Sequence, residues 1–580
     1  MADYDVVIIG SGVAGALCAA GLAGDGRKIL ILEAAENGLG VFQREQFKRV
    51  WDPATRKTWN TPYLSGTGIK NYPSPVTDDV NNYFDQPDAS NSLSTFKGYY
   101  QRLAGGSTWA WRGNTPRMMP NDLRLKSAYF PNGVFPDGAK VADWPLSYTD
   151  LKPWYLKAEY ELGVSGNAEE WEKLTPRDGA EYPMPGQPKS YSDRELIARV
   201  EKSGLKSVTL DGEQLPLQIL TMAQARNTRP YDGRSACEGN HNCIPICPTN
   251  AKYDATVHLK RARQNGAEVR TGCVVTKLEA APGGLISRVL YKQWNSETPQ
   301  TEQSVTGDIV ILAANPIESP KILLNSGLYS ENDPNVGKHL MDHVQGECLA
   351  LAADPIYPFR GPQTISGIDS VRDGKYRAKF ASFRITLGND GWGRQGNPTS
   401  VLEEALNPDP AAAGNFSIGR KLRKDTVQKL TRLVRLSFST EQLPHPDNKV
   451  SLSDKTDDLG IPRPRIRYAV HNYTRLALTE GYRVSKEIFA AMGASHVGEE
   501  NFNVNDWATA AHPMGTCRMG TDKSNSVVDK FGRCHNHPNL FMVGASVFPT
   551  GAASNPVLTL SALTLMTVDE IKKKKSWTAQ

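Results

Sequence analysis

Long hydrophobic runs are missing from this 580-residue chain. The apolar stretch nearest the start, Val6 to Gly24, has no basic leader and is cut by Gly10, Gly12, Gly15 and Gly21. It therefore reads neither as a signal peptide nor as a membrane span. Pro556 to Val568 is too short and too rich in Thr and Ser to cross a bilayer. Charge of one sign is also scarce: 67 basic against 62 acidic residues leave a net +5. No Lys/Arg stripe is interleaved with aromatics, which argues against nucleic acid as a partner, and the basic run Lys572 to Lys575 reads as a solvated tail. Cysteine is sparse, eight in all, too few and too uneven for a disulfide framework in a chain of this size. Five of them, Cys18, Cys273, Cys348, Cys517 and Cys534, are scattered and read as small buried thiols.

What remains is a globular composition, 39% apolar with 50 Gly and 38 Pro, long enough for more than one hydrophobic core. There is no internal repeat and no low-complexity segment. Tyr4 to Ile9 is a short β-branched run that reads as a buried strand. It enters the turn Gly10-Ser11-Gly12-Val13-Ala14-Gly15, followed by an Ala/Leu-rich helix to about Ala23 and a second strand, Lys28 to Leu32, ending at Glu33. This is one βαβ unit. Residues 35 to 100 are polar and aromatic with little periodicity and read as long surface excursions. Further along, the pattern predicts helices over Tyr148 to Gly163, Pro320 to Ser326 and Thr474 to Met492, and one from about Pro556. Strands are predicted at Thr306 to Ala313, Lys449 to Leu452 and Leu540 to Val543. The two ends thus read as one α/β domain interrupted by a second.

A GxGxxG run gains weight when it follows a strand, opens a helix and is followed by an acidic residue about twenty positions on. Gly10 makes the tight turn, Gly12 lets the backbone approach a pyrophosphate, and Gly15 allows close helix–strand packing. The helix N-terminus offers free N–H groups and a partial positive charge. Glu33 is placed to bond ribose hydroxyls.

Several segments together resemble one family. They are VVIIGSGVAGA…ILILEA near the start, AGGSTWAWRGNTPR at 104–117, ILAANPIESPKILLNSG at 311–327, and the C-terminal HPMGTCRMG…FMVGASVFPTGAASNPVLTLSA. The chain is similar to the glucose–methanol–choline flavin oxidoreductases, with its nearest likeness among the flavoprotein subunits of bacterial sugar dehydrogenases. The resemblance implies an α/β fold: a Rossmann-like FAD-binding domain (1–130, 225–335 and 498–580) with an inserted α+β substrate domain (131–224 and 336–497). It implies FAD held on the first glycine motif, with further contacts from Gly105, Gly106, Ser107 and Asn114 and from Gly544 and Ala545. Some relatives carry a histidine that links to the flavin where this chain has Ala110, so FAD is expected without a covalent bond.

Alcohol oxidation needs a base for the hydroxyl proton and a group to steady the oxygen. His512, in the loop-like HPMGTCRMG, is an imidazole that titrates near neutrality and suits the first role. Asn555, just ahead of the last helix, can donate to the substrate oxygen without competing for the proton. The resemblance implies that the two form the family's His–Asn pair beside the flavin. The other histidines, including His241, His343, His535 and His537, read as surface or scaffold.

Cys237-x5-Cys243-x3-Cys247 crowds three thiols into one short loop and can ligate a metal centre. Zinc would want a fourth ligand such as nearby His241, in a spacing unusual for a finger; plain thiols are the remaining reading. The context RNTRPYDGRSACEGNHNCIPICPTNAKY resembles the sugar dehydrogenases' [3Fe–4S] segment, with Glu238 where relatives often have a second cysteine. The resemblance further implies a small signal-bearing subunit and a c-type cytochrome acceptor, hence a periplasmic complex held at the membrane by its partners. Competing readings are a pyranose-oxidase-like enzyme using oxygen, a gluconate 2-dehydrogenase or anomeric glucose dehydrogenase, and a non-catalytic electron-transfer subunit.

Overall fold

The computed structural model describes residues 2–35, 83–239, 243, 247, 249–293, 298, 301–389 and 417–574. His241 and the greater part of the excursion after residue 35 lie outside them.

The strand Tyr4–Ile9 forms where the sequence predicts, because its β-branched side chains are buried on both faces. It sits in the middle of a five-stranded sheet ordered 540–542, 307–312, 4–9, 29–32, 268–270. Every pairing in that sheet is parallel. The crossover between the first two strands is the helix Val13–Ala23. That helix is apolar all round, since it is wedged between the helices Thr256–Gln264 and Val557–Lys573. The carboxyl ends of the strands open toward Gly10 on one side and Gly544 on the other, the usual place for a ligand in a doubly wound sheet.

A second, seven-stranded sheet has its own core. Its order is 494–497, 344–352, 433–440, 383–388, 366–368, 220–221, and the short strand 508–509 pairs on 344–352. The helix Asn472–Ala491 covers one face, burying Ala477, Leu478, Val484, Ile488 and Phe489. The other predicted elements appear within a few residues of expectation: helices Tyr148–Leu162 and Asn315–Asn325, and strands Gly307–Leu312, Lys449–Thr456 and Leu540–Met542. Ser147 caps its helix, with Asp150 closing a reciprocal capping box.

Two readings need amending. The end of the 35–100 stretch is not a surface excursion: Tyr83, Phe84, Phe96 and Tyr100 are buried with the second core. The two tyrosine hydroxyls both donate to the buried Glu318 carboxylate, so this stretch buries polar as well as aromatic groups. The helix Tyr148–Leu162, grouped by sequence with the inserted unit, instead sends Leu151, Tyr155 and Leu162 into the first core. It is held there by Glu159, whose two oxygens pair with the guanidinium groups of Arg117 and Arg177 at 2.7–2.9 Å with all three side chains buried. A buried carboxylate is tolerable only when its charge and lone pairs are met in this way.

Candidate active site

The first glycine turn has the shape its motif demands. Gly10 adopts φ +98° and backs onto Ala313, whose carbonyl oxygen would lie 2.7 Å from a Cβ at that position. A Cβ on Gly15 would meet the Gly10 carbonyl at 2.0 Å, the close strand–helix packing expected of this glycine. Gly12 differs: a Cβ there would meet nothing within 4 Å. The helix that follows has Gly12 as its N-cap, with no side-chain cap and no acidic residue in its first turn. Its N–H groups are left for an anion.

Three other predicted segments converge here. The Gly105 backbone N–H donates to Ser11 Oγ at 3.2 Å, and a Cβ on Gly106 would stand 3.1 Å from Gly12 Cα. Gly544, at φ +96°, faces Ala14 at 3.8 Å by the same measure. Glu33 ends the second strand, buried, and accepts from the Ser11 backbone and hydroxyl and from the Ala35 N–H. Ser107 Oγ accepts from the Gln101 N–H, and Asn114 Oδ1 accepts from Gln224 Nε2 at 2.8 Å. Ala110 follows the short turn Gly106–Trp109 and offers no nucleophile. An uncapped helix end, open space at Gly12 and a ring of backbone suit the pyrophosphate of FAD, so the residues fit the cofactor.

His512 and Asn555 are brought together from different segments. Asn555 Nδ2 lies 3.3 Å from His512 Nε2. Both remain half-exposed where Pro513 to Met519 and Gly551 to Ser554 are buried, so the pair faces open space. His343, read from the sequence as scaffold, belongs here as well. Its Nδ1 lies 2.8 Å from His512 Nδ1 with the rings at 86°, and its Nε2 reaches the Ala552 carbonyl at 2.7 Å. Asp342 holds both histidines by their backbones, one oxygen accepting from His343 N at 2.6 Å and His512 N at 2.8 Å, the other from Thr509 Oγ1 at 2.6 Å. Arg384, on the strand Phe383–Gly388, donates to Asn555 Oδ1 and pairs with Asp369 at 3.4 Å.

Burial dominates the electrostatics. It pushes His343 down to about 4, and it pushes His512 well below the usual imidazole value, helped by His343 and Arg384. Asp342 is pushed up to about 6 by its burial, against its three hydrogen bonds. Two neutral imidazoles are therefore in place at neutral pH, and His512 can accept a proton.

The cysteine segment is described only in part. Cys243 and Cys247 are buried, Cys237 half-buried, and all three are free thiols. Arg226 Nη1 donates to Cys243 Sγ at 3.1 Å, Thr249 Oγ1 lies 3.5 Å from Cys247 Sγ, and the Gly239 N–H donates to Cys237 Sγ at 3.4 Å. Burial raises the Cys237 thiol, with smaller contributions from Cys243 and Cys247. Among the described residues, no three His, Cys, Asp or Glu side chains are gathered as a metal-binding group. The thiols as placed do not themselves form a ligand set. The loop is tied to the glycine segments through Lys252, which bridges to Arg226 and donates to the Trp109 and Trp111 carbonyls at 2.8 and 2.6 Å. Among the described residues, no helix is long and apolar enough to cross a membrane.

Comparison with known proteins supplies the family and the fold. The N- and C-terminal patterns described as GMC oxidoreductase match residues 206–345 and 444–564. The fructose dehydrogenase large subunit of Gluconobacter japonicus is 32% identical, covering 98% of this chain and 97% of that one. The 2-methyl-1,2-propanediol dehydrogenase of Mycolicibacterium austroafricanum is 26% identical over 99% and 96%. A crystal structure of pyridoxine 4-oxidase from Mesorbium loti has the same fold, with a TM-score of 0.61 at 18% identity over 98% of this chain and 99% of that one.

Proposed function

The chain belongs to the GMC oxidoreductase family, an FAD-dependent group acting on CH–OH donors, and from that premise we propose that it is a sugar dehydrogenase. The observation that carries the reading is the half-exposed His512–Asn555 pair. His512 Nε2 takes the hydroxyl proton, and Asn555 Nδ2 donates to the substrate oxygen as negative charge grows on it. FAD, when bound, supplies the hydride acceptor. Gly10, Gly12, Gly15, Gly105, Gly106, Gly544 and Ala545 would hold it, with Ser107, Asn114 and Glu33 fixing the surrounding backbone. With Ala110 in the loop, the flavin is retained by non-covalent contacts alone.

The substrate we propose is a ring secondary alcohol of a sugar or glycoside, oxidised to the keto sugar. Fructose joins glucose, a glucoside and gluconate as the substrates to assay, because of the likeness to a fructose dehydrogenase large subunit. That relative's name also supports an assembly with smaller subunits. We propose a signal-bearing subunit and a c-type cytochrome, with the complex at the periplasmic face.

For Cys237, Cys243 and Cys247 we propose a [3Fe–4S] centre, supported by their spacing and by the likeness of segment 226–253. Assembly would need the three sulfurs to be drawn together, and the donors they now have could remain as hydrogen bonds to ligating thiolates. Product NMR after turnover with a dye acceptor tests the substrate. Peroxide formed in air at the same rate without any dye would favour an oxidase instead.

A further inference from the structure

We infer that His343 and Arg384 are positioning residues that fix, from opposite ends of one hydrogen-bond chain, the His512 tautomer whose Nε2 is unprotonated. The inference rests on His512 being the base, and it adds two residues whose side chains act only through others.

The direction of the chain follows from what its ends can do. At one end stands the Ala552 carbonyl, which can only accept. His343 Nε2 lies 2.7 Å from it and must carry the proton. His343 is buried and neutral, so its Nδ1 is left with a lone pair. His512 Nδ1, 2.8 Å away, must then donate to it, which leaves His512 Nε2 without a proton.

At the other end stands the Arg384 guanidinium, which can only donate. It engages the oxygen of the Asn555 amide and so turns the NH₂ group toward His512 Nε2 at 3.3 Å. A donor there again requires a lone pair on Nε2. Two ends that share no atoms thus specify the same tautomer. Reversing either would set two donors or two acceptors against each other.

Arg384 is fixed in turn. Its Nη2 contacts Met222 Sδ at 3.3 Å, and Asp369 pairs with it from the neighbouring strand Ser366–Ile368 and turn. Asp369 also pairs with Arg372, which reaches Asp122, and Asp122 pairs with Arg377, which reaches Glu441. The charged and titratable groups bearing on His512 are therefore His343 beside it, Arg384 behind Asn555, the Asp342 carboxylate on its backbone, and the Arg372–Asp369 pair behind Arg384. Arg384 also adds positive charge, which opposes protonation of His512.

Magic-angle-spinning NMR of the FAD-loaded full chain, with ring-¹⁵N histidine, tests the inference directly. The His512 signals are identified as those lost in His512→Ala. At pH 7 the wild-type protein should show His512 protonated at Nδ1 and bare at Nε2; the opposite tautomer overturns the proposal and needs no variant to do so. In stopped-flow flavin reduction, Arg384→Met should slow the step about tenfold, equivalent to ~1.4 kcal/mol or one hydrogen bond. It should also move the acid limb of the rate–pH profile upward, and Arg384→Lys should restore the limb. A limb and tautomer unmoved in a folded, FAD-bound Arg384→Met protein would remove Arg384 from the chain. If the predicted tautomer is found but His512→Ala reduces flavin at the normal rate, the base assignment fails while the hydrogen-bond chain stands.

Discussion

Glu33 holds Ser11 by two bonds, accepting from its backbone N–H at 2.9 Å and from its hydroxyl at 2.5 Å. The acidic residue that ends the second strand thus braces the turn between Gly10 and Gly12 from behind. In the proposed FAD site it would stiffen the loop on which the phosphates rest.

Gly12 and Gly15 should respond differently to a methyl group. Gly12→Ala meets open space at an ordinary backbone angle of −61°, so the apoprotein should keep its melting temperature while FAD affinity falls. Gly15→Ala places a methyl against the Gly10 carbonyl and should destabilise the fold itself. Thermal melts with and without added FAD separate the two effects. Equal destabilisation of both apoproteins would deny Gly12 its special place.

Flavin should come free in acid. Because Ala110 offers no atom for a bond to the isoalloxazine, precipitation of the purified protein should leave yellow FAD in the supernatant. Colour retained in the pellet would mean another side chain is attached.

Removing the base should stop chemistry without emptying the site. His512→Ala is expected to slow flavin reduction by about 10²–10⁴, the range for loss of a general base, with bound flavin unchanged. Asn555→Ala should cost less, since it removes a hydrogen bond and leaves the proton acceptor. Rapid-mixing absorbance under anaerobic conditions reads both.

Acid should weaken the fold through its buried histidines. His343 is held at about 4 in the folded state, below its ordinary 6.5, so the unfolded chain binds the extra proton. The stability it confers is complete above pH 6.5 and is lost as pH falls toward 4, by about 3 kcal/mol in all. His258, His471, His535 and His537 are lowered by burial too and act in the same sense. Asp342, raised to about 6, acts in the opposite sense. Urea midpoints between pH 7 and 4.5 should therefore fall, and His343→Asn should make the fall shallower. An unchanged slope in that variant would contradict the assigned burial of the ring charge.

The cysteine loop allows a separate test. If the proposed centre is present, the isolated protein should contain iron and show the EPR signal of an oxidised three-iron cluster. Cys243→Ser should lose it while single-turnover flavin reduction survives, because the glycine turns and the His512–Asn555 pair rest on other segments. A protein without iron would leave the loop as plain thiols.

Most of the parallel sheet could be read from the chain, because buried strands advertise themselves as β-branched runs and the glycine turn has one structural use. His512 and Asn555 were proposed for another reason: the segments around them resemble the family's paired motif. His343 and Arg384 were not. His343 stands just before the alternating strand Val344–Ala352, and its partner is set opposite only by the tertiary fold. Arg384 sits in the otherwise uncharged FRITLG, and a charged residue inside such a strand was the available signal. Tyr83 and Tyr100 were hidden because polar-looking aromatics there serve a buried carboxylate, a contact with no sequence period.

With His512 as the proposed base, the Ala552 carbonyl that ends the histidine chain also bears on how the enzyme would reset. A backbone carbonyl accepts a hydrogen bond but does not take up a proton at neutral pH, so a proton captured by His512 can be passed no further inward than His343 Nδ1. The proton must go back out through the face that received it, and during turnover that face is covered by product. Lasting discharge of the proposed base and departure of product are therefore expected to be coupled. A slow-leaving ketone would hold the imidazole charged and the site unfit for a second alcohol, a form of product inhibition written into the polarity of one hydrogen bond.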